Sequence, residues 1–159
     1  ESYMLFAPMT ARKMNKTRQQ VYLDGKEKGY KYISYISSKA TVFDNDIGDN
    51  CFILEDNTIQ PFTTIGNNVV MWSGNHIGHH SVIKDHIFFT SHVVMSGHCT
   101  IENNCFFGVN STIRDYSSIA QGTLLAMDAS LTSQKTEPWS VYVGSPAKIK
   151  GSRPSYDVY

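Results

Sequence analysis

The sequence predicts an all-β domain, a left-handed parallel β-helix of hexapeptide repeats, preceded by a short α/β remnant. Three observations lead there. An apolar residue recurs at every sixth position over a long unbroken stretch, a second column of small residues follows four places after it, and a helix-forming composition is confined to the first 34 residues.

Stepping by six from Ile47 gives Ile53, Ile59, Ile65, Met71, Ile77, Ile83, Phe89, Met95, Ile101, Phe107, Ile113, Ile119, Leu125 and Leu131. All fifteen are apolar, with no insertion or deletion. With 41% hydrophobic residues in the chain, chance gives such a run with odds on the order of one in a million. The second column reads Cys51, Asn57, Thr63, Val69, Asn75, Ser81, Ile87, Val93, Cys99, Cys105, Ser111, Ser117, Thr123 and Ala129. A strict period of six fits neither the 3.6 of a helix nor the 2 of a hairpin strand. It fits a short flat strand plus a corner, with the large residue filling a narrow triangular interior and the small one beside it. Three hexads make one coil, the repeat makes about five coils, and residues one coil apart stack about 4.8 Å from each other.

Fourteen basic residues balance fourteen acidic ones, which leaves no electrostatic case for nucleic acid or an anionic membrane as partner. No apolar run approaches the roughly 20 residues of a membrane span, and no signal-peptide pattern is present. The opening Glu1-Ser2-Tyr3 lacks a Met and reads as a fragment or processed product. Three cysteines without a CxxC spacing favour a reducing, cytoplasmic setting. Cys51, Cys99 and Cys105 all fall in the small inward column, so they read as buried free thiols.

The flanks are simpler. Residues 3–9 read as a short buried strand. Ala11 to Lys28 reads as a helix with Val21 and Leu23 as its apolar contacts and Gly29 as its stop. Tyr30 to Ile36 reads as a strand or the entry into the coils. After Leu131 the pattern ends, Pro138 and Pro146 bracket Val-Tyr-Val-Gly-Ser, and residues 151–159 read as a loose tail. The expected organisation is therefore 1–34, 35–150 and 151–159.

All six histidines lie close together: His76, His79, His80, His86, His92 and His98. His86, His92 and His98 read as decoration of solvent-facing turns. His80, His86, His92 and His98 share one hexad position and rotate to different faces, so only His80 and His98 stack. That gives two ligands from one chain, and no metal site is expected. His79 differs, because one coil above it stands Gly97. A histidine under a residue without a side chain leaves room for an acyl donor, with the imidazole as base and the glycine N–H as oxyanion donor. Thr90, Gly108 and Ala126 stack on another corner, as ordinary turn residues or as a smooth groove for an extended arm.

The segments Asn75-His76-Ile77-Gly78-His79-His80-Ser81, Ser96-Gly97-His98, Phe107-Gly108-Val109-Asn110-Ser111 and Val143-Gly144-Ser145-Pro146-Ala147-Lys148 resemble the bacterial sugar acyltransferases grouped with sialic acid O-acetyltransferase. Within that group they are similar to nucleotide-linked 4-amino-4,6-dideoxysugar N-acetyltransferases. The resemblance spans roughly residues 35–150. It implies acetyl-CoA as co-substrate, a nucleotide-sugar partner, and a homotrimer with sites at subunit interfaces, serving surface glycan synthesis. It also implies that residues 1–34 are the remnant of a Rossmann-like sugar-nucleotide-binding domain. Carried over by motif, His79 is the catalytic base and Gly97 N–H meets the thioester carbonyl. Gly108 and Val109 fall where the family contacts the pantetheine, with Ala126 cofactor-binding through the same small-residue column, and Lys148, with Lys150 and Arg153 beyond, suits the CoA phosphates. Two departures stand out. Some members have an acidic residue after the catalytic histidine, where this chain has His80; either His80 orients His79 as a neutral acceptor or another group does. Ala126-Met127-Asp128 stands where many relatives have glycines. The alternatives are O-acetylation of a sugar hydroxyl and a non-catalytic β-helix assembly module.

Overall fold

Each hexad places two residues in extended conformation and uses the other four to turn a corner. In the computed structural model, which describes residues 3–159, these short strands stack into three parallel faces. Glu1 and Ser2, on which the reading of a processed start rests, lie outside the described residues. On the first face Phe52, Val70, Phe88, Phe106 and Leu124 pair in sequence. On the second, Thr58, His76, Val94, Thr112 and Ser130 do so, and on the third Thr64, Val82, Thr100 and Ser118. All of these pairings are parallel and one coil apart. The coil also starts earlier and ends later than the hexads do. Tyr35 pairs with Phe52, and Leu124 with Val141, one residue closer in sequence than in the regular coils. That shortened step is why the six-fold column begins only at Ile47.

Both inward columns are buried: every residue from Ile53 to Leu131 in the apolar column, and all fourteen in the small column. The polar members of the small column, Ser111 Oγ excepted, find partners inside the coil, as expected for buried donors. Thr63 Oγ1 donates to the Gly78 carbonyl at 2.9 Å and Asn75 Nδ2 to Asn57 Oδ1 at 2.8 Å. The cysteines are free and buried, and desolvation raises the Cys105 thiol to about 12. The corners carry a third column. Every sixth residue from Asn50 to Asp128 has a positive φ, through Asp56, Phe62, Asn68, Gly74, His80, His86, His92, His98, Asn104, Asn110, Tyr116 and Gly122. Asn, Asp, His and Gly dominate because they tolerate the left-handed region best.

The helix α1 spans Lys16–Glu27, shorter than the expected Ala11–Lys28. Lys13, Met14 and Asn15 are themselves left-handed, so the helix cannot begin before them. Its end is as expected: Gly29, at φ 81°, donates to the Lys26 carbonyl while Tyr30 donates to that of Gly25, a Schellman close. The packing face is a correction. Val21 and Leu23 are exposed; Arg18, Tyr22 and Gly25 are buried. Lys16 lies over the rings of Trp139 and Tyr156, Arg18 donates to the Ile87 carbonyl at 3.0 Å, Asn104 Nδ2 donates to Gln19 at 2.9 Å, and Lys26 pairs with Asp49. The helix therefore runs along one corner from the last coil back to the first. The buried strand expected at 3–9 is also corrected. Only Met4–Leu5 is extended, paired with Lys31–Tyr32, and Met4 is exposed.

His86 is not surface decoration but lies buried under α1. It continues a corner ladder in which Asn50 donates to Asn68, and Asn68 Nδ2 donates to His86 Nδ1 at 2.8 Å. Desolvation lowers its imidazole to about 4 from the usual 6.5. The unfolded chain thus takes up a proton that the folded chain refuses. Stability is expected to fall as pH drops through the window from 6.5 to 4 and to level off below it. Urea melts of His86→Asn, which keeps the left-handed corner and the Asn68 contact, are expected to show a shallower acid slope there.

Residues 151–159 are not a loose tail. Ser155 is buried; it donates through N–H to the Trp139 carbonyl and through Oγ to that of Gly122, and its own carbonyl accepts from Val158 and Tyr159 N–H. Tyr159 stacks on Phe106 with ring centroids 4.4 Å apart, and its carbonyl accepts from Met14 N–H.

Candidate active site

Two corners carry the residues singled out by sequence, and both flank the second face. The first, between the second and third faces, holds His79, His80, Gly97 and His98. A Cβ added to Gly97 would lie 2.9 to 3.1 Å from Cε1, Nε2 and Nδ1 of His79. The imidazole therefore lies directly against Gly97, and only glycine leaves it room. Gly78 serves the same approach from below: its own Cβ would fall 2.5 Å from Gly97 N. Among the described residues Gly97 N–H has no acceptor. At the corner under α1 the matching N–H groups of Asp49, Asn67 and Asp85 are each taken by a side chain of the next coil. Away from that corner the matching N–H groups of Ser73, Ser91 and Val109 likewise have no acceptor among the described residues, so what sets Gly97 apart is the imidazole lying against it.

His79 Nδ1 lies 3.0 Å from His80 Nδ1. With His80 accepting there, the lone pair of His79 is at Nε2, free for a substrate. His80 itself stands in an exposed aromatic ladder at the left-handed corner position. Its ring centroid is 4.7 Å from that of Phe62 and 5.0 Å from that of His98, and His98 stacks on Tyr116 at 4.7 Å. The 18-residue spacing of Phe62, His80, His98 and Tyr116 was available in the sequence as a signal for this ladder. The ligand count is a correction: His79, His80 and His98 each offer a ring nitrogen, and these three atoms lie within 4.8 Å of one another. His79 stands one residue before the shared hexad position and joins His80 and His98 at the same corner.

The second corner, between the first and second faces, stacks Thr90, Gly108 and Ala126. A Cβ on Gly108 would collide with the backbone of Ala126 and Met127 in the coil above. This corner opens into a groove of about 850 Å³ whose floor is apolar, from Phe106, Leu124, Val141 and Val143. Gly108, Val109 and Ala126 line it, and the returning C-terminal segment closes it with Lys150, Arg153 and Tyr159. Lys148 is exposed, pairs across to Val143 and lies outside the lining. His79 and Gly97 are not in this groove. Within one chain, the imidazole and the groove occupy separate corners.

Residues 46–79 match the family of the bacterial transferase hexapeptide (six repeats). No curated protein sequence matches the chain. Among solved structures, the chain is similar to a variant of perosamine N-acetyltransferase from Caulobacter crescentus in complex with CoA and GDP-perosamine. The identity is 18% and the TM-score 0.84, covering 89% of this chain and 68% of that one. It is similar to the acetyltransferase domain of PglB from Neisseria gonorrhoeae, in complex with acetyl coenzyme A, at 18% identity and TM-score 0.83, covering 91% and 73%. A UDP-N-acetylglucosamine O-acyltransferase from Moraxella catarrhalis matches at 24% identity and TM-score 0.69, covering 75% and 54%. At these identities the likeness is one of fold. This chain is a parallel β-helix that carries, in residues 46–79, the hexapeptide repeat of bacterial transferases.

Proposed function

We propose that this chain is an acetyl-CoA-dependent N-acetyltransferase acting on a nucleotide-linked amino sugar of the 4-amino-4,6-dideoxyhexose type, for surface glycan synthesis. The observation that carries the reading is His79 lying against Gly97 with the glycine N–H unclaimed. The amine attacks the thioester carbonyl, a C–N bond forms, and the carbonyl oxygen becomes an oxyanion that Gly97 N–H stabilises. His79 Nε2 takes the ammonium proton, held in place by His80 at Nδ1. The C–S bond then breaks, and the CoA thiolate leaves with that proton. Cys51, Cys99 and Cys105 are buried and their thiols are pushed up by desolvation, so none is suited to be a covalent nucleophile.

The apolar groove suits a pantetheine arm and its Lys150 and Arg153 rim suits phosphates. Because base and groove sit on two corners of one chain, we place the complete site between subunits of a homotrimer, His79 of one facing the groove of the next. Residues 1–34 we assign to the edge of a sugar-nucleotide-binding domain. Support for the donor and acceptor classes comes from the similar structures, which were solved with CoA, acetyl coenzyme A or GDP-perosamine. The O-acyltransferase likeness makes a sugar hydroxyl the second reading.

A panel of GDP-, UDP- and dTDP-linked amino sugars and their hydroxyl counterparts, read by thiol release from acetyl-CoA, tests the assignment. Turnover of amino sugars alone supports it; turnover of hydroxyl sugars alone moves it to the second reading; no turnover leaves an assembly module. The groove assignment carries its own prediction. Arg153→Ala combined with Lys150→Ala is expected to raise KM for acetyl-CoA by about tenfold or more, with kcat nearly unchanged, because charge-assisted bonds to phosphate are worth about 1.5–3 kcal/mol. Steady-state kinetics at saturating sugar checks it.

A further inference from the structure

We propose that His79, His80 and His98 together form a binding site for a late first-row divalent cation such as Zn²⁺, and that its occupancy shuts the proposed transfer site. The three ring nitrogens lie within 4.8 Å of one another on an exposed corner, open to an ion from solution. His79 and His80 are already in near contact through their rings, the two Nδ1 atoms being 3.0 Å apart. Two nitrogens that each sit about 2.0–2.1 Å from one zinc ion are separated by a distance of that order. The ring of His79 stands across both of its neighbours, at 89° to His80 and 88° to His98, so it can face an ion that either of them reaches.

His80 and His98 lie nearly parallel, 19° apart, and parallel rings cannot both aim their lone pairs at one point. Binding therefore requires one of them to swing. Both side chains are exposed, so the swing costs a ring stack and no core packing. The hydrogen bond between the two Nδ1 atoms must also open, with the donor ring moving its proton to Nε2. Three imidazoles leave a fourth tetrahedral position to water, and nitrogen ligands favour zinc, copper and nickel over magnesium or calcium. The site needs no second subunit and does not depend on the enzymatic reading. Only its inhibitory consequence rests on His79 being the base, because a metal-bound imidazole has no lone pair with which to accept a proton.

Equilibrium dialysis of chelator-treated protein against ZnCl₂ at neutral pH, with metal counted by mass spectrometry, tests the site directly. About one zinc per chain is expected, weakened at least about tenfold in His98→Asn, which keeps the left-handed corner, and unchanged in His92→Asn, an exposed histidine outside the cluster. Absence of stoichiometric zinc in the wild type, or binding that survives His98→Asn, overturns the site. In a second arm each protein's acetyl transfer with zinc is compared with its own zinc-free rate. Loss of transfer in the wild type, restored by chelator and diminished in His98→Asn, is expected; full transfer with zinc bound overturns the inhibition. If no acetyl transfer is found at all, the dialysis arm still decides the site.

Discussion

His79→Ala is expected to lower kcat/KM for acetyl transfer by about 10²–10⁴-fold, the usual contribution of a positioned general base. The geometry argues for a loss at the upper part of that range in one respect: Gly97 lies against the imidazole face, so both the base and one wall of the acyl site disappear together. Folding is expected to be indifferent. His79 is exposed, its ring meets Gly97, His80 and His98 at the corner surface, and surface substitutions of this kind usually stay within about 0.5 kcal/mol. Kinetics and a thermal melt on the same preparation therefore separate the two quantities. A variant that keeps more than about a tenth of the wild-type kcat/KM removes His79 from the role of base. His92→Asn, exposed on a different corner and tolerant of its left-handed backbone, is expected to leave both quantities alone.

The largest stability loss is expected at Phe107→Ala, at about 3–5 kcal/mol. Phe107 is fully buried in the triangular interior, stacked on Phe89 with centroids 4.7 Å apart and beneath Leu125 in the coil above. Truncation leaves a void that cannot collapse, because the coils on both sides are fixed by backbone ladders one strand spacing apart. Equilibrium urea unfolding measures it, and Phe62→Asn serves as the contrast. Phe62 is an equally large ring at a corner, 75% exposed, and Asn accepts its left-handed backbone. A change below about 0.5 kcal/mol is expected there. Equal losses at both positions would mean that burial is not what the hexad column supplies.

Much of this was legible in the amino-acid order, because a strict repeat fixes which side chains point inward and which corners stack. Ile53 to Leu131, the three thiols and the closeness of His79 to Gly97 all follow from counting sixes and eighteens. What could not be read is whatever packs across the coil rather than along it. His86 occupies the same hexad position as the exposed His80, His92 and His98, and only α1 lying over its corner buries it. Val21 and Leu23 are the most apolar residues of α1, yet the corner it meets is polar, so Arg18 and Tyr22 turn inward and donate to the Ile87 carbonyl and to Asp49. Pro and Gly near the C-terminus signalled turns correctly but not their destination, the wall of the groove. The separation of His79 from that groove is likewise a matter of which corner each hexad falls on, and the repeat alone does not say how copies of the chain meet.

The path of α1 has a consequence for how the molecule comes apart. A solenoid whose coils touch only their neighbours behaves as a one-dimensional array and frays from its ends. Here one rigid rod is fastened at Trp139 and Tyr156, at Asn104, at Ile87 and at Asp49, points spread from the last coil to the first. No terminal coil can peel away without loosening the rod, and the rod cannot loosen without exposing the corner beneath every other coil. Unfolding is thereby made cooperative over the length of the stack, and hydrogen exchange in the first and last coils is expected to converge on the global opening rate.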